Sequence, residues 1–214
     1  MPEMNARRFT FFLTLIYSIW NPLCGQSSAY TLVHEEDHHI PIFQNDQIRV
    51  LNVRASQGDT TAFHRHCNPI LYITLEGTTV SLKEPTTSWK KTELPSGWIG
   101  QDIYHSDSCF VHRFAIPGQG RLHIVAVEAL KHTEEVSLST DPIHSEEGFS
   151  VYEIGLSHLG EMIEVSIPII LVETSCNREC KVEVINSEKL SKELLQKHNA
   201  YAVFFKKPDI PVIE

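Results

Sequence analysis

Residues 58–77 read GDTTAFHRHCNPILYITLEG and place two histidines, His64 and His66, just before a run of bulky apolar residues. Side chains at positions i and i+2 of a β-strand point to the same face, so these two imidazoles project together. A metal site requires a further donor from a neighbouring strand. The downstream candidates are three histidines: His105, His112 and His123. The alternative interpretation is a half-buried strand whose two histidines are exposed or hydrogen-bonded.

Short apolar runs surround this stretch and are separated by turn residues. They are rich in β-branched and aromatic side chains. The runs are QIRVLNVRA (47–55), PILYITLEG (69–77), TTVSLKE (78–84), CFVHRFAI (109–116) and RLHIVAVEAL (121–130). Many short strands with regular turn signals are typical of an antiparallel sandwich or barrel. The sequence therefore predicts an all-β fold.

The composition argues against nucleic acid as a partner. The chain has 214 residues and a formal net charge of −9, and its sequence contains no basic stripe. It also lacks the nucleophile-elbow, phosphate-loop, dinucleotide-binding and H-E-x-x-H motifs, so the common hydrolase and nucleotide-dependent mechanisms have no support. A chain of this length is sufficient for one sizeable core or for two smaller halves that share one.

The N-terminal region has the features of a secretory signal. Arg7 and Arg8 precede the apolar run FTFFLTLIYSIW (9–20), and small residues follow it. This pattern predicts a signal peptide at residues 1–25 and an exported chain, periplasmic or secreted. The run is too short to span a bilayer comfortably, so no membrane span is expected in the mature chain. Two alternatives remain open: an apolar element of the fold, and a lipoprotein signal at Cys24, although the residues before it form a poor lipidation box.

Removal of that segment leaves an even number of cysteines, which permits two disulfides in an exported chain. The four are Cys67, Cys109, Cys176 and Cys180. Three pairings are possible, and the short loop from Cys176 to Cys180 favours a local bridge between them. A zinc pair is a weaker interpretation, because no second pair has suitable spacing. Free thiols remain the alternative for a chain that is not exported.

A second series of strands is predicted after a polar connector at residues 131–148. It begins at FSVYEIGL (149–156), and one helix is predicted near 187–199 with Ser187 as its N-cap. Gly160 leads to IPIILVETS much as Gly58 leads to NPILYITLEG, which indicates an internal duplication. The second copy reads MIEVSI where the first reads AFHRHC. Only the first half is therefore expected to hold a histidine site.

The stretch around the histidine pair resembles the first motif of the cupin superfamily. That motif is Gly, five residues, His-x-His, three or four residues, Glu, six residues, Gly. The present chain has Gly58, His64 and His66 at these intervals, then Ile70 at the acidic position, and Gly77 at the end. Every interval fits, and the acidic residue is replaced by isoleucine.

The second cupin motif is matched in part. Its pattern is Gly, five residues, Pro-x-Gly, two residues, His, three residues, Asn. Gly97 takes the first position and His112 the histidine position, but the interval between them is four residues longer than in the pattern. No Pro-x-Gly turn is evident, and Ile116 stands where asparagine is expected.

The resemblance implies a cupin jelly-roll barrel at residues 41–130, after an N-terminal segment at 26–40. It also implies a bicupin whose second half, residues 149–214, is degenerate. Cupins usually bind Fe, Mn, Ni or Zn through three histidines and one glutamate. Carried over by position, the ligands are His64, His66 and His112, without the acidic ligand. A site of this kind has a free coordination position for an anionic substrate or dioxygen.

Three further residues are candidates for the pocket. Tyr72 and Ile70 share the strand face of the histidine pair, and Tyr72 offers a hydroxyl to a substrate or simply packs in the core. His105 competes with His112 as a ligand, although its polar surroundings favour an inserted loop at the barrel mouth. The function implied is an oxygenase, isomerase or lyase that acts on a small organic molecule. The alternative is a non-catalytic cupin that has lost its metal and binds a small ligand or a partner; a homodimer is compatible with either.

A rival cluster of metal-binding residue types lies at VHEEDHH (33–39). It contains His34, Glu35, Glu36, Asp37, His38 and His39. No turn or strand signal fixes this segment, and it follows directly after the predicted cleavage site. We therefore expect it to be a solvated N-terminal segment rather than part of the site.

The signal-peptide hypothesis predicts the N-terminus of the mature protein. Cleavage near Gly25 places that terminus between Gln26 and Tyr30. N-terminal sequencing of the protein recovered from its native host is the measurement, and an intact Met1 would contradict the hypothesis.

Overall fold

The computed structural model describes residues 30–133, 138–163, 167–174 and 180–206. Fifteen strands in these ranges form three sheets of five strands each. The predicted signal peptide at 1–25 and Cys176 lie outside the described residues. Within them, no helix has the length and the apolar character that a bilayer crossing requires.

The first sheet carries the histidine pair and is called the site sheet. Its strands in spatial order are β1 (Thr31–Leu32), β4 (His64–His66), β9 (Phe110–Ala115), β6 (Thr78–Lys83) and β7 (Lys90–Leu94). β1 pairs with β4 in parallel, and the other neighbours are antiparallel.

The second sheet, called the middle sheet, is entirely antiparallel. Its strands in spatial order are β2 (His39–Gln44), β3 (Ile48–Ser56), β10 (Arg121–Ala129), β5 (Ile70–Glu76) and β8 (Ile99–Asp102).

The strands from β3 to β10 are distributed between these two sheets in the order of a jelly roll. The middle sheet contains β3-β10-β5-β8 and the site sheet contains β4-β9-β6-β7, so each sheet alternates early and late strands. This is the double-sheet arrangement in which two Greek keys interlock. The predicted all-β jelly roll is therefore confirmed. β1 and β2 add one edge strand to each sheet, so the barrel already includes part of the segment predicted at 26–40.

The two motif glycines of the sequence have structural reasons. Gly58, in the turn between β3 and β4, has φ of +88°, which glycine adopts without the steric penalty of a side chain. Gly77 follows β5 so closely against the backbone that a Cβ there would overlap the carbonyl oxygen of Leu94. Both glycines thus fix the ends of the segment that carries the histidine pair.

The middle sheet is buried on both faces. Leu51, Val53 and Ile124 face the site sheet and form a core with Val80 and Phe114. The alternate residues of the same strands face the other way and form a second core with the C-terminal half. These are Val50, Leu71, Ile73, Val125 and Val127. Burial on both faces explains why RLHIVAVEAL reads as a nearly continuous apolar run instead of an alternating one.

The C-terminal half forms its own β unit, called the outer sheet, which packs on the middle sheet. Its strands in spatial order are β11 (His144–Glu146), β12 (Phe149–Ile154), β15 (His198–Phe205), β13 (Pro168–Glu173) and β14 (Val182–Asn186). The predicted second β unit is present, and within the described residues it is one sheet where the first barrel has two. β11 lies inside the stretch predicted as a connector, residues 131–148.

Two short α-helices belong to the C-terminal half: α1 (Leu159–Ile163) and α2 (Lys192–Lys197). A separate core includes Met162 of α1 and side chains on the far face of the outer sheet. Helix α2 is the predicted one, but its N-cap is Ser191, whose hydroxyl accepts a hydrogen bond from the backbone N–H of Leu194. The predicted cap, Ser187, is fully buried and begins the 3₁₀ helix Ser187–Lys189 instead.

A disulfide joins Cys67 to Cys109, with 4.3 Å between their Cα atoms. Cys67 directly follows β4 and Cys109 directly precedes β9, so the bridge fixes one end of that strand pair. The interpretation of Cys67 as a disulfide cysteine is confirmed. Cys180 is disulfide-bonded as well, and Cys176, its predicted partner, lies outside the described residues.

Replacing both Cys67 and Cys109 with alanine should lower the free energy of unfolding. The bridge spans 42 residues, and chain-entropy arguments give about 4 kcal/mol for a loop of roughly that length. Chemical denaturation of the double variant is the measurement, and Ser108→Ala, at an exposed neighbouring position, is the control. An unchanged free energy of unfolding would contradict the assignment of a stabilising role to this bridge.

Candidate metal centre

Three histidines of the site sheet converge inside the barrel. His64 lies directly opposite His112 in the antiparallel register of β4 and β9, so their side chains share one face. His66 joins them by the two-residue period of β4. One ligand atom from each lies within 4.8 Å of the other two. The predicted convergence of His64, His66 and His112 is therefore observed.

The hydrogen bond of His64 leaves its second ring nitrogen available to a ligand. Its Nδ1 lies 3.0 Å from the carbonyl oxygen of Ala62. Because a carbonyl only accepts, Nδ1 carries the proton and Nε2 carries the lone pair. His64 Nε2 is buried and has no hydrogen-bond partner among the described residues. Histidines that bind metals are commonly held in this way, by a hydrogen bond from the other ring nitrogen.

His66 and His112 face each other through their Nε2 atoms, which are 3.0 Å apart. In a pair of neutral rings, one Nε2 donates the proton and the other accepts it. A shared cation would take both lone pairs instead. The geometry thus fits a metal ligand pair as well as it fits a histidine–histidine hydrogen bond.

The barrel interior keeps these imidazoles neutral. Burial is the main cause, and neighbouring histidines add to it: the pKa of His64 falls to about 4 and that of His112 to about 3. Burial and the proximity of His112 hold the pKa of His66 well below its usual value. Neutral imidazole is the form that binds a metal.

A cavity of about 300 Å³ adjoins the histidines inside the barrel. His39, His66 and His112 contribute to its wall, and most of the remaining lining is aromatic or aliphatic. Tyr72 lines it and stacks on Trp98, with ring planes 17° apart. The cavity therefore offers an apolar space beside a group of nitrogen donors.

Three other polar groups in the cavity wall bond to one another. The carboxylate of Asp102 accepts hydrogen bonds from the phenols of Tyr72 and Tyr104, and burial raises the pKa of Asp102. Burial also raises the pKa of both tyrosines above the usual value. The two phenols consequently stay protonated and oriented toward this carboxylate.

The strand order of a jelly roll is now combined with an H-x-H pair on β4 and a third histidine opposite it on β9, all directed into the barrel. The chain has the jelly-roll fold that its resemblance to cupins predicts. Within that fold, the inward positions of the first motif carry His64 and His66. The inward position of the second motif carries His112.

The similar solved structures each match less than half of the chain. No family model matches the sequence, and no curated protein matches it either. Among solved structures, a cupin domain from Bordetella pertussis Tohama I is 19% identical to this chain. The match covers 42% of this chain and 92% of that domain, with a TM-score of 0.37. An RmlC-like cupin from Methanocaldococcus jannaschii is 11% identical and covers 42% and 75%, with a TM-score of 0.34.

An enzyme is also among the solved structures that match. The hydroxypropylphosphonic acid epoxidase from S. wedmorenis is 23% identical and covers 38% of this chain and 43% of its own, with a TM-score of 0.30. At these identities and TM-scores, the similarity supports no inference about activity.

The other predicted pocket residues are placed differently from one another. Tyr72 lines the cavity of the cupin barrel, whereas Ile70 is buried in the apolar core between the two sheets and is not among the lining residues. His105 is exposed in a turn beyond β8 and lies outside this cavity. His123 points away from it and bonds Asn52 through Nε2 at 2.7 Å. Among the downstream candidates His105, His112 and His123, only His112 reaches the histidine pair.

The interpretation of residues 33–39 as a solvated segment is wrong. Val33 is buried in the barrel core, and His34 Nδ1 lies 2.8 Å from Nη1 of Arg49. These contacts fix a 3₁₀ turn that carries Glu36 and His39 inward, each only 5% exposed. A ligand atom from each of Glu36, His39 and His64 lies within 4.8 Å of the others.

Sequence reasoning missed Glu36 and His39 because their partners are far away along the chain. One signal was available: four apolar residues, Ile40 to Phe43, directly follow His39, which is compatible with the strand β2 that begins there. The side chain of His39 points inward because β2 pairs with β3, where His39 lies opposite Val53. That pairing is a tertiary contact with no local marker.

The neutral histidines make the stability of the metal-free protein depend on pH. The pKa values of about 4 for His64 and about 3 for His112 lie below the value of about 6.5 expected in the unfolded chain. Between those limits the unfolded state binds more protons, so their contribution is fully present above about pH 6.5 and is lost as pH falls toward the folded values. We expect a lower Tm at pH 4.5 than at pH 7.5 in the presence of a chelator, and a smaller difference in His112→Gln.

The exposed His105 provides the control for that measurement. His105→Ala should retain the full difference in Tm between the two pH values. Equal Tm values for the unsubstituted protein at pH 4.5 and 7.5 would contradict the assignment of neutral buried histidines.

Proposed function

We propose that this chain binds a divalent transition metal through His64, His66 and His112 and acts on a small organic molecule in the adjoining cavity. One observation carries the proposal: three neutral imidazoles, two of them buried and that of His112 partly buried, converge beside an apolar cavity, and His64 Nε2 has no partner among the described residues. Imidazole donors suit Fe, Ni and Zn. The resemblance to cupins adds Mn.

The cavity supports a small and largely apolar substrate. Ligand pockets typically combine apolar walls with a few polar groups that set orientation. Here the stacked rings of Tyr72 and Trp98 offer a flat surface, and the histidine side offers the polar contacts. A divalent ion at the histidines supplies a Lewis acid for an oxygen atom of the substrate. The reaction types that we propose are those of an oxygenase, an isomerase or a lyase.

The protein side chains contribute orientation and exclusion of water. His64 and its bond to Ala62 hold one nitrogen in a fixed direction, and the apolar wall around Phe114 and Ile124 limits the water that reaches the histidines. Polar interactions in such a water-poor interior are stronger than in bulk solvent. Binding and orientation are thus provided before any chemical step.

A non-catalytic binding module is the second candidate. Tyr72, Tyr104 and Asp102 are already hydrogen-bonded together, so in the described lining they present no unpartnered acid or base to a substrate. The same apolar cavity then serves only to hold a ligand. Metal content separates this candidate from the first.

We propose further that the protein is exported. The Cys67–Cys109 bridge supports an oxidising compartment, since disulfides are rare in the cytosol. The basic and apolar character of the first 20 residues supports the same proposal.

Elemental analysis of the purified chain tests the metal proposal. We expect about one equivalent of Fe, Mn, Ni or Zn per chain, directly or after reconstitution. His64→Ala or His66→Ala should reduce this to trace amounts, because each substitution removes one of the three nitrogens. His105→Ala, at an exposed position outside the cavity, should retain the metal, and circular dichroism should show that all three variants fold.

The contrary outcome is equally definite. If the unsubstituted chain holds no near-stoichiometric metal after reconstitution with each of the four ions, the metal proposal fails. The binding module then becomes the better interpretation of the cavity.

A further inference from the structure

We propose that His39 is a fourth nitrogen ligand of the metal and that Glu36 is the residue that positions it. This inference rests on the proposed metal site and extends it. His39 and Glu36 come from the turn and strand that lead into the middle sheet, whereas His64, His66 and His112 lie on the site sheet. The centre would therefore be closed from both sheets of the barrel.

The ring of His39 lies next to that of His64. Its ring centroid lies 4.5 Å from that of His64, which is shorter than the 5.1 Å between His64 and His66 and the 4.7 Å between His64 and His112. His39 also lies 6.4 Å from His66 and lines the same cavity. His39 is thus as close to His64 as His66 and His112 are, and it lies on the side of His64 away from the other two.

The contact with Glu36 sets the direction of the lone pair of His39. Its Nδ1 lies 2.6 Å from Oε2 of Glu36. Each oxygen of Glu36 also accepts from a backbone N–H, Oε1 from Ala62 and Oε2 from His38, so the carboxylate acts as an acceptor at both oxygens. Nδ1 of His39 then carries a proton, and in the neutral ring Nε2 carries the lone pair. A carboxylate that holds a histidine in this way is the usual support of a metal-binding imidazole.

The hydrogen bonds of Glu36 exclude it as a direct ligand in this conformation. Its Oε1 accepts from His38 Nδ1 at 3.1 Å and from the backbone N–H of Ala62 at 3.2 Å. Its Oε2 accepts from His39 Nδ1 and from the backbone N–H of His38 at 2.9 Å. Both oxygens are fully engaged, so the carboxylate acts through His39.

The buried carboxylate of Glu36 also favours a cation nearby. A buried carboxylate is expensive unless a cation is close. Among the described residues, the ion-pair partners of Glu36 are His38 and His39, and it pairs with no lysine or arginine. A divalent ion bound by His39 would place a positive charge beside this carboxylate. This observation is independent of the ring distances and points to the same occupant.

Ile70 leaves this chain without the acidic ligand of the motif, and the Glu36–His39 pair would take its place. The acidic position of the motif is occupied by a buried isoleucine that packs in the apolar core. Glu36 places a negative charge near the centre from another part of the fold. The site would combine four imidazole nitrogens with one supporting carboxylate.

Metal binding by the full chain tests the inference. Co²⁺ is the probe, since its visible spectrum reports the number and geometry of the ligands, and competition with a chromophoric chelator gives its affinity. His39→Gln and Glu36→Gln should each weaken Co²⁺ binding by 10- to 100-fold. His39→Gln should also change the spectrum, because one imidazole has been removed.

His38 offers a matched control. It bonds the same carboxylate as His39 but is partly exposed and is not among the residues that line the cavity. His38→Ala should leave the affinity within about threefold of the unsubstituted chain. If His39→Gln does not fold, His39→Ala with added imidazole provides the second measurement: the free imidazole should restore Co²⁺ affinity and the original spectrum.

The two proposals fail in different ways. If the unsubstituted chain binds no Co²⁺, the metal site itself is wrong. If it binds Co²⁺ and both His39→Gln and Glu36→Gln bind with the same affinity and spectrum, only the fourth ligand is overturned. The Glu36–His39 contact would then be a structural pair within the barrel wall.

Discussion

The antiparallel pairing of β4 with β9 is the interaction on which the candidate site depends. It places His64 opposite His112 and His66 opposite Phe110, so all four side chains face the barrel interior. A shift of the register by one residue would turn the entire set outward, since side chains alternate along a strand. The Cys67–Cys109 bridge lies at the end of this pair. A covalent link at that point opposes such a shift.

The apolar interior then determines the chemical state of what the pairing brings together. Burial holds His64, His66 and His112 neutral, and hydrogen bonds to Glu36 hold that carboxylate ionised. Lone pairs and a negative charge are thereby concentrated in one small region of low polarity. Such an arrangement is costly without a cation, which is why the metal proposal follows from electrostatics as well as from the histidine spacing.

Local periodicity was sufficient for part of this site. The two-residue period placed His64 and His66 on one face, and the polar surroundings of His105 favoured His112 as the third ligand. Turn signals and β-branched runs predicted the strands of the jelly roll. Glu36 and His39 escaped prediction because Val33, His34 and Arg49 fix their turn through contacts across the barrel. The arrangement of the described C-terminal strands in one sheet was equally hidden, because a run of strands does not reveal whether they form one layer or two.

The middle sheet has a consequence for how the two halves can exist. Val50, Val125 and Val127 belong to the face that the outer sheet covers, while their neighbours in sequence belong to the barrel core. A barrel deprived of the outer sheet would present a broad apolar surface to water, and proteins with such surfaces associate or aggregate. The C-terminal half is therefore not a detachable module. It covers the second face of the middle sheet, whose strands enclose the cavity. The two halves should therefore fold and unfold together.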